Sequence, residues 1–126
     1  MEIEKFQNTL IAFDTSNEMV NATDMIRAFP VKRMNNFLRQ KQTKEFIEAL
    51  ESDALKSATV IKQGGSEQGT WMHKLLAYKF AGWLDPKFEL FVYKVFDAAV
   101  QDKLKTQQAQ LDYFWDKQDQ KDLYNK

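Results

Sequence analysis

"GTWMHKLLAYKFAGWLDPKF", residues 69–88, holds two of the chain's three tryptophans, its only histidine and an Asp-Pro step. Met72, Leu75, Leu76, Phe80, Trp83 and Leu84 follow a helical period. Asp85 and Pro86 then restart the chain. Aspartate suits an N-cap, and proline suits the first helical position because its missing N–H would be unpaired there anyway. In the helix that follows, Phe88, Phe91, Val92, Val95, Phe96 and Ala99 line one side. Two consecutive helices with apolar faces make this stretch core.

That setting decides how His73 is read. A metal site needs three or four ligands, and the chain offers no second histidine and no cysteine. No nucleophile-elbow pattern surrounds Ser66 or Thr70, so His73 has no partner for a triad. Asp14, Asp24, Asp85 and Asp97 fall at turns or helix surfaces, and no two of them form an acid/base couple. The loop "QGGSEQG" (63–69) lacks the GK[ST] ending of a phosphate loop and the spacing of a dinucleotide fingerprint. The expectation is no enzyme, no metal and no cofactor, with His73 a structural residue at a helix start.

Upstream, "ATVIKQGGSEQGTWM" (58–72) has the form of a hairpin, a β-branched run and a glycine loop returning through Trp71. "NTLIAFDTSNEMVN" (8–21) reads as another, turning at "DTSN". "NATDMIRAF" (21–29) follows as a short helix, with Asn21 as cap and Asp24 near the positive end of the helix dipole; Pro30 stops it. "VKRMNNFLRQ" (31–40) predicts a second helix. Met34, Phe37 and Leu38 make its apolar face, and Lys32, Asn35, Asn36 and Arg39 its polar one. "TKEFIEALES" (43–52) predicts a third, with Phe46, Ile47 and Leu50 inward and Thr43 as cap.

The 126 residues suffice for one compact domain with a helical extension, and a 44% hydrophobic share with ten phenylalanines marks a folded chain. Absent cysteine excludes a disulfide scaffold and fits a reducing cytoplasm. The N-terminus starts acidic and has no signal-peptide pattern, and no stretch approaches the roughly 18 apolar residues of a membrane span. From Gln101 the composition turns to Gln, Asp and Lys. Leu104, Leu111 and Phe114 make a partial heptad there, read as a helical stalk leading on to a further segment. The expected division is 1–100 and 101–126.

Net charge is zero, but unevenly spread. Residues 1–26 carry −4, residues 27–80 carry +5, and residues 27–44 hold six bases and no acid. Lys32, Arg33, Asn35, Asn36, Arg39, Gln40 and Lys41 thus combine charge with amides. That mixture suits a DNA major groove, where Arg and Lys reach phosphate or guanine and Asn and Gln can pair with adenine. A short helix, a turn and a polar-faced second helix is the helix-turn-helix plan. Lys62 and Gln63 in the later hairpin would act as a wing against the backbone. The competing reading is a plain solvated helix face.

"VNATDMIRAF" (20–29) and the later block of Gly69, Thr70, Trp71, His73, Leu76, Ala77, Phe80, Ala81, Trp83, Leu84, Pro86 and Phe88 resemble the KilA-N domain of phages, prophages and large DNA viruses. The resemblance covers roughly residues 8 to 100 and departs at Lys74, where the family usually has proline. It implies a compact α+β, winged-helix-type fold related to fungal APSES domains, with β-hairpins, several helices and a C-terminal helical extension. It also implies DNA binding without catalysis, in the cytoplasm of a bacterial host.

Two functions are therefore expected to compete. One is sequence-specific double-stranded DNA binding by a transcription regulator, with helix 32–40 in the major groove and the 60–70 hairpin as wing. The other is an antirepressor-like protein-interaction module with weak non-specific DNA binding, using a tail with Tyr113, Phe114 and Trp115 to dock a protein partner or to form a homo-oligomer.

Overall fold

The computed structural model describes the backbone of residues 1–124 and the side chains of residues 1–112. The fold is α+β. Strands β1 (Glu2–Phe6), β2 (Thr9–Asp14), β3 (Met19–Asn21), β4 (Thr59–Lys62) and β5 (Gly69–His73) form one antiparallel sheet in the order β1-β2-β3-β5-β4. The helices among the described residues are α1 (Ala22–Arg27), α2 (Met34–Leu38), α3 (Lys41–Ala54), α4 (Lys74–Leu84) and α5 (Pro86–Tyr124). The chain divides into two compact units, Met1–Phe96 and Asp97–Lys126.

The hairpin expected at 8–21 is present as β2–β3. Its turn is held by Asp14, whose carboxylate accepts from the backbone N–H of Asn17 at 3.3 Å and from its side-chain amide at 2.9 Å. Strand β1 was not expected. It pairs with β2 in register Ile3↔Ala12, yet Ile3 faces out and is exposed, while Glu4 and Phe6 share the half-buried side. An edge strand whose alternation is out of phase with its apolar residues carries little sequence signal.

Strand β3 is three residues long, and the chain turns into α1 at Asn21. The polar residues at this corner replace the sheet ladder. Asn21 Oδ1 accepts from the Asp24 N–H at 3.0 Å, capping α1 as expected, and its Nδ2 donates to the Gln68 carbonyl at 3.1 Å. Thr23 Oγ1 accepts from the Thr70 N–H at 2.9 Å. Asp24 Oδ2 accepts from the Ala12 N–H at 3.0 Å, past the last β2–β3 pair. Asn21 is buried, and among the described residues no buried side-chain polar atom lacks a partner. Besides the local cap, these bonds reach β2 at Ala12, the β4–β5 loop at Gln68 and β5 at Thr70, so the corner fastens those segments to α1.

Gly69 lies against this corner with φ +134. A Cβ there would sit 2.9 Å from Asn21 Oδ1 and 3.0 Å from Thr23 Oγ1. Glycine is required both by the backbone angle and by the closeness of the corner. The next residues run as strand through His73, so Met72 pairs with Val20 on one side and Thr59 on the other instead of beginning the helix. Sheet partners on both flanks satisfy its backbone and override the helical period.

Helix α4 therefore starts after His73, which caps it: Nδ1 accepts from the Leu75 N–H at 3.2 Å. Lys74 takes the first helical position, where proline is ordinarily favoured. Its N–H donates to the Glu18 carbonyl at 2.8 Å, a bond proline could not form. The departure at Lys74 thus ties α4 to the β2–β3 turn, and Lys74 Nζ adds a 3.4 Å contact with Glu18. Asp85 caps α5 through the Phe88 N–H at 3.0 Å, as expected. Thr43 does not cap α3. Gln40 is the extended residue before that helix, and Thr43 is buried within its first turn.

The core lies between the sheet, α4 and the first turns of α5. Ile11, Phe13, Val20, Met72, Leu76, Phe80, Phe88 and Val92 are fully buried. Phe88 meets Phe6 and Phe29 edge-on at 4.9 and 5.1 Å, and Phe13 meets Phe96 at 5.5 Å. Each such side chain stabilises the fold by about 1.5–3 kcal/mol relative to exposure. The inward face read for α5 is therefore correct through Phe96.

Two outcomes are expected in chemical denaturation. Gly69→Ala should lose about 1–3 kcal/mol of stability, because it combines an unfavourable φ with a clash at the polar corner. His73 is held below the ordinary histidine value of about 6.5, chiefly by burial and also by Lys74 and Lys56, against an opposing pull from Glu18. Its proton therefore favours the unfolded chain. Stability should be complete above the unfolded value and fall as pH drops below about 6.5, levelling off below the folded value. Comparison with His73→Asn from pH 8 to pH 5 isolates this dependence.

Candidate nucleic-acid interface

The acid-free stretch 27–44 begins at the end of α1, where Arg27 pairs with Asp24 at 3.1 Å. A turn follows in which the Lys32 N–H donates to the Phe29 carbonyl at 2.9 Å, and Phe29 is anchored among Phe6 and Phe88. Arg33 is extended (φ −124, ψ 129) and makes no side-chain cap. Only then does α2 begin.

The helix expected over 31–40 is therefore shorter, Met34–Leu38. Lys32 and Arg33 precede it. Arg39 closes it, and Gln40 (φ −64, ψ 138) is the extended link into α3. The turn behind Lys32 and the extended Gln40 confine the helical conformation to five residues. The apolar face is as read: Phe37 is buried and packs on Phe80 and Trp83 at 5.0 and 5.7 Å.

Five of the nine expected contact residues come together. Lys32, Arg33, Asn35, Asn36 and Arg39 line one open depression of about 520 Å³, with Ile26 and Met34 as its apolar lining. They are not equivalent. Arg33, Asn35, Asn36 and Arg39 are exposed. Lys32 is half-buried: its Nζ donates to the Trp83 carbonyl at 3.2 Å and lies 4.7 Å from the centroid of the Trp83 ring. A desolvated ammonium above an indole face is favourably held, so Lys32 braces the turn against α4. Arg39 Nη2 donates to Asn36 Oδ1 at 2.6 Å.

The remaining four stand on other elements. Gln40 lines a second depression of about 340 Å³ with Phe37, Gln42, Thr43, Lys79, Gly82, Trp83 and Glu89. Lys41 opens α3 and approaches Glu45 at 3.8 Å, an exposed pair of little energetic weight. Glu45 is the first acid after the basic stretch, and Glu48, Glu51 and Asp53 follow on α3. The basic surface therefore ends within the first turn of that helix. Lys62, on edge strand β4, holds its Nζ 4.6 Å from the centroid of the Trp71 ring, and Gln63 is exposed in the loop behind it.

Sequence reading did not identify Ile26 and Met34 as part of the depression. Met34 was read as part of an apolar helix face and Ile26 was given no role; only the folded chain brings the end of α1 beside α2, where both line the depression. Gln42 and Lys79 went unread for the same reason, since α3 and α4 bring them together. Among the described residues no cluster of His, Asp or Glu could hold a metal ion, and no helix is long and apolar enough to cross a membrane.

Comparison with known proteins agrees with this architecture. Residues 4–102 match the KilA-N domain. The chain is similar to Protein kilA of Escherichia phage P1, 38% identical over 60 residues. That match covers 48% of this chain and 22% of the phage protein, so the chain spans about a fifth of the length of that relative. No solved structure matches the chain significantly. A family match across nearly the whole of the first unit, on a sheet and helix pair built from the residues that carry the resemblance, shows that the chain belongs to the KilA-N domain family.

Proposed function

We propose that the chain binds double-stranded DNA sequence-specifically and serves a regulatory role of phage or prophage type. The observation that carries this reading is the clustering of exposed Arg33, Asn35, Asn36 and Arg39 around one depression, within a stretch of 18 residues that contains no acid. KilA-N domains are generally DNA-binding, which supports it further. In this reading α2 and its flanks enter the major groove. Arg33, Arg39 and Lys41 supply cationic contacts and Asn35 meets a base edge, while Gln40 follows the groove edge. Lys62 and Gln63 approach the backbone from the β4–β5 hairpin as a wing. Arginine and asparagine suit this division because a guanidinium grips phosphate or guanine and a carboxamide both donates and accepts.

A second reading rests on the second unit. Val100, Leu104 and Leu111 are exposed on one helix at spacings of four and seven. That stripe fits a protein-interaction or self-association surface of antirepressor type. The side chains of Tyr113, Phe114 and Trp115, expected to take part, lie outside the described residues.

The test is a DNA titration at several salt concentrations, using a motif enriched from a randomised duplex pool. An Arg33→Ala/Asn35→Ala/Lys41→Ala variant should bind more weakly, and its log–log salt slope should shrink by about 0.9 for each phosphate contact removed. Unchanged binding would shift the function to the second unit. Lys32→Ala should behave differently. It should lower the unfolding midpoint while leaving the salt slope intact, because its ammonium is engaged with Trp83.

A further inference from the structure

We infer that Arg39 reads a guanine of a G·C pair and that Asn36 is its positioning residue, not an independent reader of adenine. The inference rests on the DNA-binding reading above and deepens it by dividing roles between two residues of one site. Asn36 and Arg39 are three apart, so they share a face of α2. Their bond is short, 2.6 Å, and lies in the open, with both side chains exposed at the rim of the depression. It joins a charged donor to an amide oxygen, the stronger class of hydrogen bond.

The consequences for recognition are asymmetric. Reading adenine takes both ends of a carboxamide: the oxygen accepts from N6 and the amide donates to N7. The Asn36 oxygen is already engaged by a guanidinium, so its adenine-reading geometry is compromised. Arg39 loses much less. A guanidinium carries five N–H donors in a planar fork. One is committed to Asn36, and the free remainder still matches the adjacent O6 and N7 acceptors of guanine. Arginine is long and rotamer-rich, so free in solution it would have to be ordered on binding. Asn36 fixes the plane of the fork in advance.

Neighbouring residues are consistent with this division. Lys32 lines the same depression, but its ammonium is engaged by the Trp83 carbonyl and ring. Asn35 is exposed at the same depression, and among the described residues its side chain has no hydrogen bond like that of Asn36 to Arg39, which leaves its carboxamide to meet a base edge. Arg39 also closes α2 in αR conformation (φ −81, ψ −12), so its backbone is ordered up to the link at Gln40.

The experiment uses the full 126-residue chain. A motif is selected from a randomised duplex pool, and every single base-pair change in it is titrated against wild type, Arg39→Ala, Asn36→Ala and Asn36→Asp. Melting curves accompany each variant; because both side chains are exposed, unfolding midpoints should stay close to wild type. Arg39→Ala should erase a roughly 5- to 150-fold preference for G·C at one position. Asn36→Ala should weaken the preference at that same position and at no other. Asn36→Asp keeps an oxygen for the guanidinium and should restore it.

Three results would overturn the inference. If Asn36→Ala relaxes a preference for A·T at a different position, Asn36 is a reader in its own right. If Arg39→Ala lowers affinity evenly across all sequences and reduces the salt slope by about 0.9, Arg39 holds a phosphate. If wild type binds duplex DNA but enriches no motif, the guanine assignment fails while DNA binding stands. Absence of any duplex binding by wild type removes the DNA-binding reading itself, and the inference with it.

Discussion

The carboxamide of Asn21 holds the first unit together. Its oxygen caps α1 and its amide reaches the Gln68 carbonyl, 47 residues away. Strand β3 ends at that residue, so the backbone there has no further ladder to join. Asn21, Thr23 and Asp24 take up the hydrogen bonds that the short strand leaves over. An unmade bond in such a buried place costs about 1–3 kcal/mol, more than a typical made one contributes. The corner is therefore a constraint on everything joined to it: the close approach of Gly69, the position of β5 between β3 and β4, and the start of α4 just beyond.

From that corner the packing runs in two directions. Through β5 it reaches His73 and α4, and then α5, whose phenylalanines close over β1 and β2. Through α1 it reaches the basic turn and α2. The second path is lightly built. Helix α2 has five residues and one buried side chain, Phe37, set against Phe80 and Trp83. Lys32 adds a second tether to Trp83. A short helix pinned at two points to a rigid α4 presents exposed Arg and Asn side chains from a fixed base.

The later block of residues that carries the KilA-N resemblance is largely core. Trp71, His73, Leu76, Phe80 and Phe88 are buried, and they specify how β5, α4 and α5 pack. None of them faces the depression lined by Arg33, Asn35 and Arg39. The later block of resemblance residues is thus written largely in the core, whereas Ile26 of the earlier segment, 20–29, lines the depression.

The sequence by itself determined the features that depend on near neighbours. Asn21 as a cap, Asp85 with Pro86 at the start of α5, the β2–β3 and β4–β5 hairpins, and the lack of acids between Arg27 and Lys44 all rest on residues a few positions apart. Those local preferences act wherever the rest of the chain lies. Tertiary structure alone decided the others. Strand β1 forms because β2 offers it an edge, although Ile3 points outward. Met72 is strand because β3 and β4 flank it, and α2 ends at Leu38 because Gln40 must turn the chain into α3. Lys32 is a brace because Trp83, 51 residues on, lies beneath it. For Met72 and Lys32 the deciding partners are remote in sequence, and no local pattern encodes where a remote partner will stand.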